Sequence, residues 1–332
     1  MRYKSVVVTK RGGPEALQVV QSDLRSPSGG EVRIRNLATL VSMPDVQARY
    51  GHTPIPPKIP FVPGYAIVGD IDAVGEGVTR AGVGDRVGAL TVSGGYAEYI
   101  ILDEDGLISV PETLDPAEAV TLILNYIVAY QTMHRSAQVK ADDKVLIIGA
   151  SGGVGTALLQ IGKLADLTMY GIASASKHHI LNKHGATPID YHTQDFVEVI
   201  REAEPDGLDA VFDGMVWGYL DRGFSLLGRG GTWVQYGNPL NFSGLLGLLA
   251  RLVLFNLAPN GRSLKLYGTT TSKFGRGRYL EDWAALFKLL EQGKIRPVIM
   301  KKLPILEAAQ ANALLESGQV IGHVVLVAPE LL

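Results

Sequence analysis

The chain has 332 residues, 46% of them hydrophobic, with 31 basic against 33 acidic side chains and a formal net charge of −2. That length suits about two domains, and the near-balance of charge gives no electrostatic reason to expect nucleic acid or an anionic membrane surface as a partner. The complete absence of cysteine excludes disulfides and every thiolate metal site.

The N-terminus, MRYKSVVVTKRGG, has no long apolar core and no signal-type cleavage site, which predicts a cytoplasmic chain. Short strands are predicted next, at SVVVTK, EVRIRNLATLV, AIVGDIDAVG, DRVGALTV and AEYIILD. Turn residues separate them, as expected of an antiparallel, barrel-like domain over roughly the first 115 residues. Between them, TPIPPKIPFVPG (53–64) carries five prolines and is expected to be a rigid surface loop. Residues 40–60 as a whole read as loop.

From residue 116 the texture changes. DPAEAVTLILNYIVAYQTMHRSA has helical spacing, with Asp115 placed as cap and Pro116 at the first helical position. Strands and helices then alternate: KVLIIGA, VGTALLQIGKLA, TMYGIAS, KHHILNKHG, PIDY, DFVEVIREA, LDAVFDG, GYLDRGFSLL and GGTWVQYG. Such alternation implies a parallel sheet with helices on both faces. FSGLLGLLARLVLFNLA (242–258) is the most apolar run, but Arg251 and Asn256 interrupt it and it falls short of the roughly 18 residues of a membrane span. Leucines nearly all round this helix predict burial, as a cleft lid or a dimer contact, and membrane association is not expected. The chain closes with KLYGTTT, a helix at LEDWAALFKLLEQG, a strand at PVIMKKLPI, a helix at EAAQANALLESG and a strand at HVVLVA.

The stretch VLIIGASGGVG (145–155) has the context that makes a glycine pattern informative, with a buried strand before it and a helix after it. Glycines there permit a tight turn and remove the Cβ atoms that would hold a pyrophosphate away from the backbone. The N–H groups at the helix start and the positive end of its dipole then face the phosphates. Ser151, Gly152, Gly153 and Val154 are the expected contacts. A close strand–helix packing turn without a ligand is the alternative, and the βα units that follow count against it. The second strand ends in GIASASKHH, without the acid that usually binds the ribose 2′-OH of NAD. Ser174, Ser176 and Lys177 suit a 2′-phosphate instead, so NADPH is the expected cofactor.

Several segments resemble one family. PFVPGYAIVGDIDAVGEGVTRAGVGDRV (60–87), GGYAEYIILDEDGLISVPETLDPAEAVTL (94–122), LNYIVAYQTMH (124–134), DDKVLIIGASGGVGTALLQIGKLA and GQVIGHVVLV are similar to the zinc-independent quinone oxidoreductase branch of the medium-chain dehydrogenase/reductase superfamily. The resemblance implies an α/β protein made of a GroES-like β-barrel domain and a Rossmann doubly wound parallel-sheet domain. It implies a GroES-like domain at 1–122 completed by 265–332, a dinucleotide-binding domain at 123–264, a small-molecule substrate and a homodimer formed through the cofactor domains.

Departures from the wider superfamily carry chemistry. Zinc alcohol dehydrogenases have Gly-His-Glu where this chain has Gly64-Tyr65-Ala66, so a catalytic zinc has no ligand set. Hydride transfer without a Lewis acid suits acceptors that delocalise charge, a quinone or an α,β-unsaturated carbonyl. In the quinone reductases an Asn precedes an Asp by three residues; here Ser42 stands in its place, with Asp45, Arg49 and Gly51 retained. Ser42 is a candidate contact to nicotinamide or substrate, Asn125 is expected near the cofactor, and Tyr65 is the candidate proton donor against the plainer reading of a barrel-wall tyrosine. Tyr191 is the candidate for the adenosine end, or else a cap on the sheet edge. QYGNP and YGTTT put Tyr236, Gly237, Asn238 and Tyr267 toward the nicotinamide ribose and carboxamide. His323 reads as a surface strand position.

The leading function is an NADPH-dependent, metal-free reductase of quinones or conjugated carbonyls. One alternative is an enoyl-thioester reductase, for which only diffuse cations (Arg251, Arg262, Lys273, Arg276, Arg278) are available. Another is a low-turnover NADPH-binding protein that docks through 242–258.

Overall fold

A computed structural model describes residues 1–215, 218–269 and 276–332. It divides into two units: Met1–His52, Pro56–Leu124 and the C-terminal segment ending at Leu332 form one, and Thr53–Ile55 with Asn125–Thr269 the other.

The first unit is GroES-like and built on a seven-stranded sheet. In spatial order the strands are Ile299–Pro304, His323–Val327, Glu31–Val41, Ala66–Val74, Arg86–Leu90 and Ile108–Ser109, with Tyr99–Asp103 also paired to Glu31–Val41. The first pair is parallel and the rest antiparallel. Alternation explains the long strand: Val32 and Ile34 are buried, while Arg33 turns outward to a two-pronged pair with Asp72 at 2.8 and 3.0 Å. Strand His323–Val327 is buried along its whole length because it lies between two others. That corrects the expectation for His323: it is buried, its Nδ1 lies 3.0 Å from the Val298 carbonyl, and burial pushes its pKa down to about 4.

Two further elements depart from expectation. Leu17–Asp23 is a strand paired antiparallel with Arg2–Val8; its mixed sequence, LQVVQSD, leaves Val19 and Val20 exposed and hides the period-two signal. Met43–Tyr50, within a stretch expected to be loop, is a helix. It starts with Pro44 in its first turn and stops at Gly51, whose φ of 78° is the left-handed conformation of a glycine cap.

In the second unit six strands form one parallel sheet, ordered Thr187–Asp190, Thr168–Ala173, Lys144–Ile148, Leu208–Asp213, Leu227–Gln235, Ser263–Leu266. Numbered along the chain this is 3-2-1-4-5-6, the doubly wound Rossmann order, and its ligand crevice opens where the order reverses. The reversal falls between Lys144–Ile148 and Leu208–Asp213. Strand interiors such as Leu146, Ile172, Val211 and Trp233 are buried in one core, consistent with their unbroken apolar runs.

Asp115 caps the predicted helix as expected, its Oδ1 accepting from Ala117 N–H at 2.7 Å. The helix that follows is interrupted by wide π-type turns at Leu122–Tyr126 and Thr132–Ala137, which 3.6-residue periodicity cannot reveal.

Helix Phe242–Leu257 departs from its predicted burial. Leu248 is buried, and Leu252 and Phe255 pack on the core. Asn256 ties the helix to the edge strand, donating to the carbonyls of Leu252 and Leu264 and accepting from Leu264 N–H. Phe242, Leu246, Leu249, Val253 and Leu257 are 42–77% exposed, spaced so that they form one outward stripe. Among the described residues no helix is long and apolar enough to cross a membrane.

Candidate active site

The glycine turn lies at the sheet's switch point. Gly149 follows the first strand with φ of 77°, a conformation that favours glycine. Ala150 N–H bonds the Ile172 carbonyl of the neighbouring strand at 3.1 Å, and Gly152 N–H closes the turn on Gly149 at 3.1 Å. Helix Gly153–Leu164 starts at Gly152 with no side-chain cap, so its first backbone N–H groups are left for a ligand. Gly155 serves the packing of the turn. A Cβ there would sit 2.3 Å from the Gly149 carbonyl oxygen, so the glycine lets the helix press against the turn. The cradle therefore fits a pyrophosphate.

At the end of the second strand, Ser174 and Ser176 place their hydroxyl oxygens 3.4 Å apart. Lys177 follows at the end of a short 3-10 turn, and burial lowers its ammonium pKa from the ordinary lysine value. A nearby anion would reverse that shift. Tyr191 lies one residue beyond the paired residues Asp190 and Ala173, which brings it to the same edge as Ser174; it is half exposed, with its ring 4.1 Å from that of His192. Buried Asp190 accepts from His192 N–H and the Thr193 hydroxyl, and these bonds hold its carboxyl below the usual range.

The fourth and fifth strands meet across Asp213 and Gln235, which are register partners. Gln235 Nε2 donates to the carbonyls of Asp213 and Met215 at 3.1 and 2.8 Å. Tyr236 and Gly237 donate their backbone N–H groups to the Asp213 carbonyl, and the Tyr236 ring lies against Gly214, leaving no room for a Cβ there. Asn238 is exposed. Tyr267 N–H bonds the Gln235 carbonyl, and its phenol donates to Gln131 at 2.9 Å. Asn125 is half-buried within the Leu122–Tyr126 π turn. Thus Ser151–Val154, Ser174–Lys177, Tyr191, Tyr236–Asn238 and Tyr267 all follow the carboxyl ends of strands in one sheet. Sequence reasoning missed Asp213 and Gln235. Their strands were recognised, but no local pattern reports a cross-strand pairing.

In the first unit, Ser42, Asp45, Gly64 and Tyr65 come together. Asp45 Oδ2 accepts from the Ser42 hydroxyl at 2.6 Å and from Ser42 N–H at 3.1 Å, while Oδ1 accepts from Gly64 N–H at 2.8 Å. Ser42 is itself buried, with its hydroxyl proton directed to Asp45. Burial raises the Asp45 pKa to about 6 despite these bonds, and the buried Tyr96 phenol beside it is raised well above its ordinary value by burial and by Asp45. Buried Arg49 donates to the Gly12 carbonyl and to Glu316, whose other oxygen accepts from the Tyr50 phenol at 2.8 Å. Tyr65 is half-buried, and its carbonyl accepts from Thr91 N–H at 2.9 Å.

Lys273 lies outside the described residues, as does the side chain of Arg276, and Arg251 is engaged by Asp221 in a two-pronged pair at 2.8 Å.

Known proteins share this fold. Residues 28–112 match the alcohol dehydrogenase GroES-like domain, and residues 184–326 match a family described as zinc-binding dehydrogenase. Quinone oxidoreductase from Sus scrofa is 32% identical over 93% of this chain and 92% of its own length. The synaptic vesicle membrane protein VAT-1 homolog from Homo sapiens is 32% identical over 98% of this chain and 86% of its own. Among solved structures, Escherichia coli quinone oxidoreductase complexed with NADPH aligns with a TM-score of 0.85 and 26% identity, covering 98% of this chain and 99% of that one. Human VAT-1 homolog-like protein aligns with the same score and identity over 99% of both chains. A GroES-like unit and a Rossmann unit with this turn define a two-unit, dinucleotide-dependent oxidoreductase. The chain belongs to the quinone oxidoreductase branch of the medium-chain dehydrogenase/reductase superfamily.

Proposed function

We propose that this oxidoreductase uses NADPH to reduce a quinone or an α,β-unsaturated carbonyl without zinc. The observation that carries the reading is the uncapped glycine helix start at the switch point of the sheet, followed at the next strand end by Ser174, Ser176 and Lys177 in place of an acid. When bound, NADPH supplies the hydride. Ser151, Gly152, Gly153 and Val154 hold its pyrophosphate, and Ser174, Ser176 and Lys177 hold its 2′-phosphate. Tyr191 lies along the adenosine, and Asn125, Tyr236, Gly237, Asn238 and Tyr267 shape the nicotinamide end. Tyr65 donates the proton that a quinone or enolate oxygen needs as charge develops on it, while Ser42, through Asp45, fixes the backbone leading to Tyr65.

Zinc independence is supported by the residues. There is no cysteine, and Tyr65 and Ala66 stand where zinc enzymes carry His and Glu. Among the described residues no group of three or more His, Asp or Glu side chains is arranged to hold a metal. A homodimer is supported by the edge strand Ser263–Leu266 and the outward stripe of Phe242–Leu257, since an open sheet edge beside exposed apolar side chains suits a second copy.

The test is NADPH oxidation against quinones, enals and enoyl thioesters, before and after exhaustive chelation. Turnover with a quinone or an enal, unchanged by chelation, is expected. Turnover confined to enoyl thioesters, or abolished by chelation, would replace this reading.

A further inference from the structure

Asp213 has no part in the chemistry proposed above, yet it is a buried titratable group whose backbone and side chain are tied on both sides of the dinucleotide turn. It ends the fourth strand and is fully buried. It pairs in register with Ile148 on one side, the residue before Gly149, and with Gln235 on the other, the residue before Tyr236. Its Oδ1 accepts from Met215 N–H at 2.7 Å, which bends the chain so that the Met215 sulfur lies 4.0 Å from where a Cβ on Gly149 would be. Its carbonyl receives the N–H groups of Tyr236 and Gly237 and the amide of Gln235. One residue thus joins the pyrophosphate turn to the segment at the nicotinamide end.

Its second carboxyl oxygen, Oδ2, is buried and has no hydrogen-bond partner among the described residues. An ionised carboxylate with a buried, unpartnered oxygen is costly, and a neutral carboxyl far less so. The titratable groups that face it are the phenols of Tyr236 and Tyr219, both neutral and both pushed up partly by Asp213; the indole of Trp233 and the amide of Gln235 are uncharged donors. The strand on its other side offers Ile148 and then Gly149, which do not titrate. No cation among these groups stabilises the charged form; Met215 N–H, Gln235 and Trp233 favour it as uncharged donors, but burial outweighs them and raises the Asp213 pKa to about 7. A bound dinucleotide would add negative phosphates nearby and shut out water, and both effects favour the protonated acid.

We propose that Asp213 is a positioning residue of the dinucleotide site, and that the cofactor is held best when its carboxyl group carries a proton. Binding and protonation are then linked: NADPH draws a proton onto Asp213, and its affinity weakens as pH rises through neutrality. This rests on the NADPH reading. It adds a pH-sensing element within the fold that touches neither phosphate nor reacting atoms.

The test measures NADPH affinity by fluorescence from pH 6 to 8.5 for the wild type and D213N, whose amide keeps the acceptor for Met215 and stays neutral. The wild-type Kd is expected to rise about tenfold more across this range than that of D213N, one linked proton giving up to about tenfold per pH unit. Titrations of Lys177 and of the 2′-phosphate are common to both proteins and cancel in the comparison. Should D213N not fold, proton uptake on binding is measured for the wild type at pH 7.5 in weakly buffered indicator solution, with NADPH and with NADH, which lacks the 2′-phosphate. Uptake with both is expected. If wild type binds NADPH but shares the pH profile of D213N, or takes up no proton, the Asp213 inference falls alone. If the wild type binds no NADPH at any pH, the dinucleotide reading falls and this inference with it.

Discussion

Asp45 Oδ1 accepts the backbone N–H of Gly64 at 2.8 Å, joining a helix start to a turn nineteen residues further along the chain. The same carboxylate receives Ser42, so a single buried group fixes the approach to Tyr65. Because burial raises its folded pKa to about 6, above the roughly 3.9 of an unfolded Asp, the folded state binds the proton more tightly. The resulting stabilisation is complete below about pH 4 and is lost as pH rises through about 6. Denaturant titrations of wild type and D45N between pH 4 and 7 are expected to diverge, the wild type losing on the order of 3 kcal/mol relative to the variant. Parallel curves would mean that Asp45 does not titrate in this window.

Arg49 is wholly buried and meets Glu316 on the helix Ala308–Glu316. Removing one member of a buried pair strands the other. R49M is expected to lose about 3–5 kcal/mol of stability by chemical denaturation, and R49M/E316L to recover part of that loss.

Gly155 allows helix and turn to touch. G155A puts a methyl 2.3 Å from the Gly149 carbonyl oxygen and 2.6 Å from the backbone of Ala150. We expect a loss of about 1–3 kcal/mol in stability from overpacking and at least tenfold weaker NADPH binding by fluorescence titration. G152A, whose Cβ meets only the Gly149 oxygen at 3.5 Å, is expected to weaken binding with little effect on stability.

Lys177 is the residue we propose to carry the cofactor preference. K177E is expected to weaken NADPH at least tenfold and leave NADH within about twofold, since a charge-assisted phosphate contact is lost and a repulsion gained. Burial depresses the Lys177 pKa, so the wild-type preference for NADPH over NADH is expected to decline in alkaline solution, sooner than an exposed lysine would allow. Inhibition constants for NADP+ and NAD+ across pH measure this directly.

The outward stripe of Phe242–Leu257 predicts association. L246D/V253D places charge on two of its exposed positions and is expected to shift light-scattering mass from dimer to monomer, with NADPH binding intact.

Much of this architecture was legible in the sequence because it rests on local signals. The strand–glycine–helix succession at 145–155 announced the turn, and βα alternation announced the parallel sheet. The missing acid after the second strand is the local signal behind the proposed phosphate preference. What escaped depends on partners distant along the chain. Nothing near Asp213 announces that Gln235 will stand beside it in register. The helix Met43–Tyr50 did carry local signals, Ser42 and Asp45 as a capping box, Pro44 in the first turn and Gly51 as the stop, but the prolines that follow masked them. In Phe242–Leu257 the apolar residues lie on two faces, and composition alone could not say that one of them remains uncovered.

The central position of His323–Val327 in the first unit's sheet, between Ile299–Pro304 and Glu31–Val41, bears on biosynthesis. Asn125–Thr269 holds all six strands of its own sheet and is free to fold while translation continues. The GroES-like unit must wait with one side of Glu31–Val41 unpaired along residues 38–41 until Val327 has cleared the ribosome, so a strand made early completes its pairing last. A nascent chain stalled before residue 323 would therefore present a finished nucleotide-binding half and an open, adhesive β-edge for chaperones to guard.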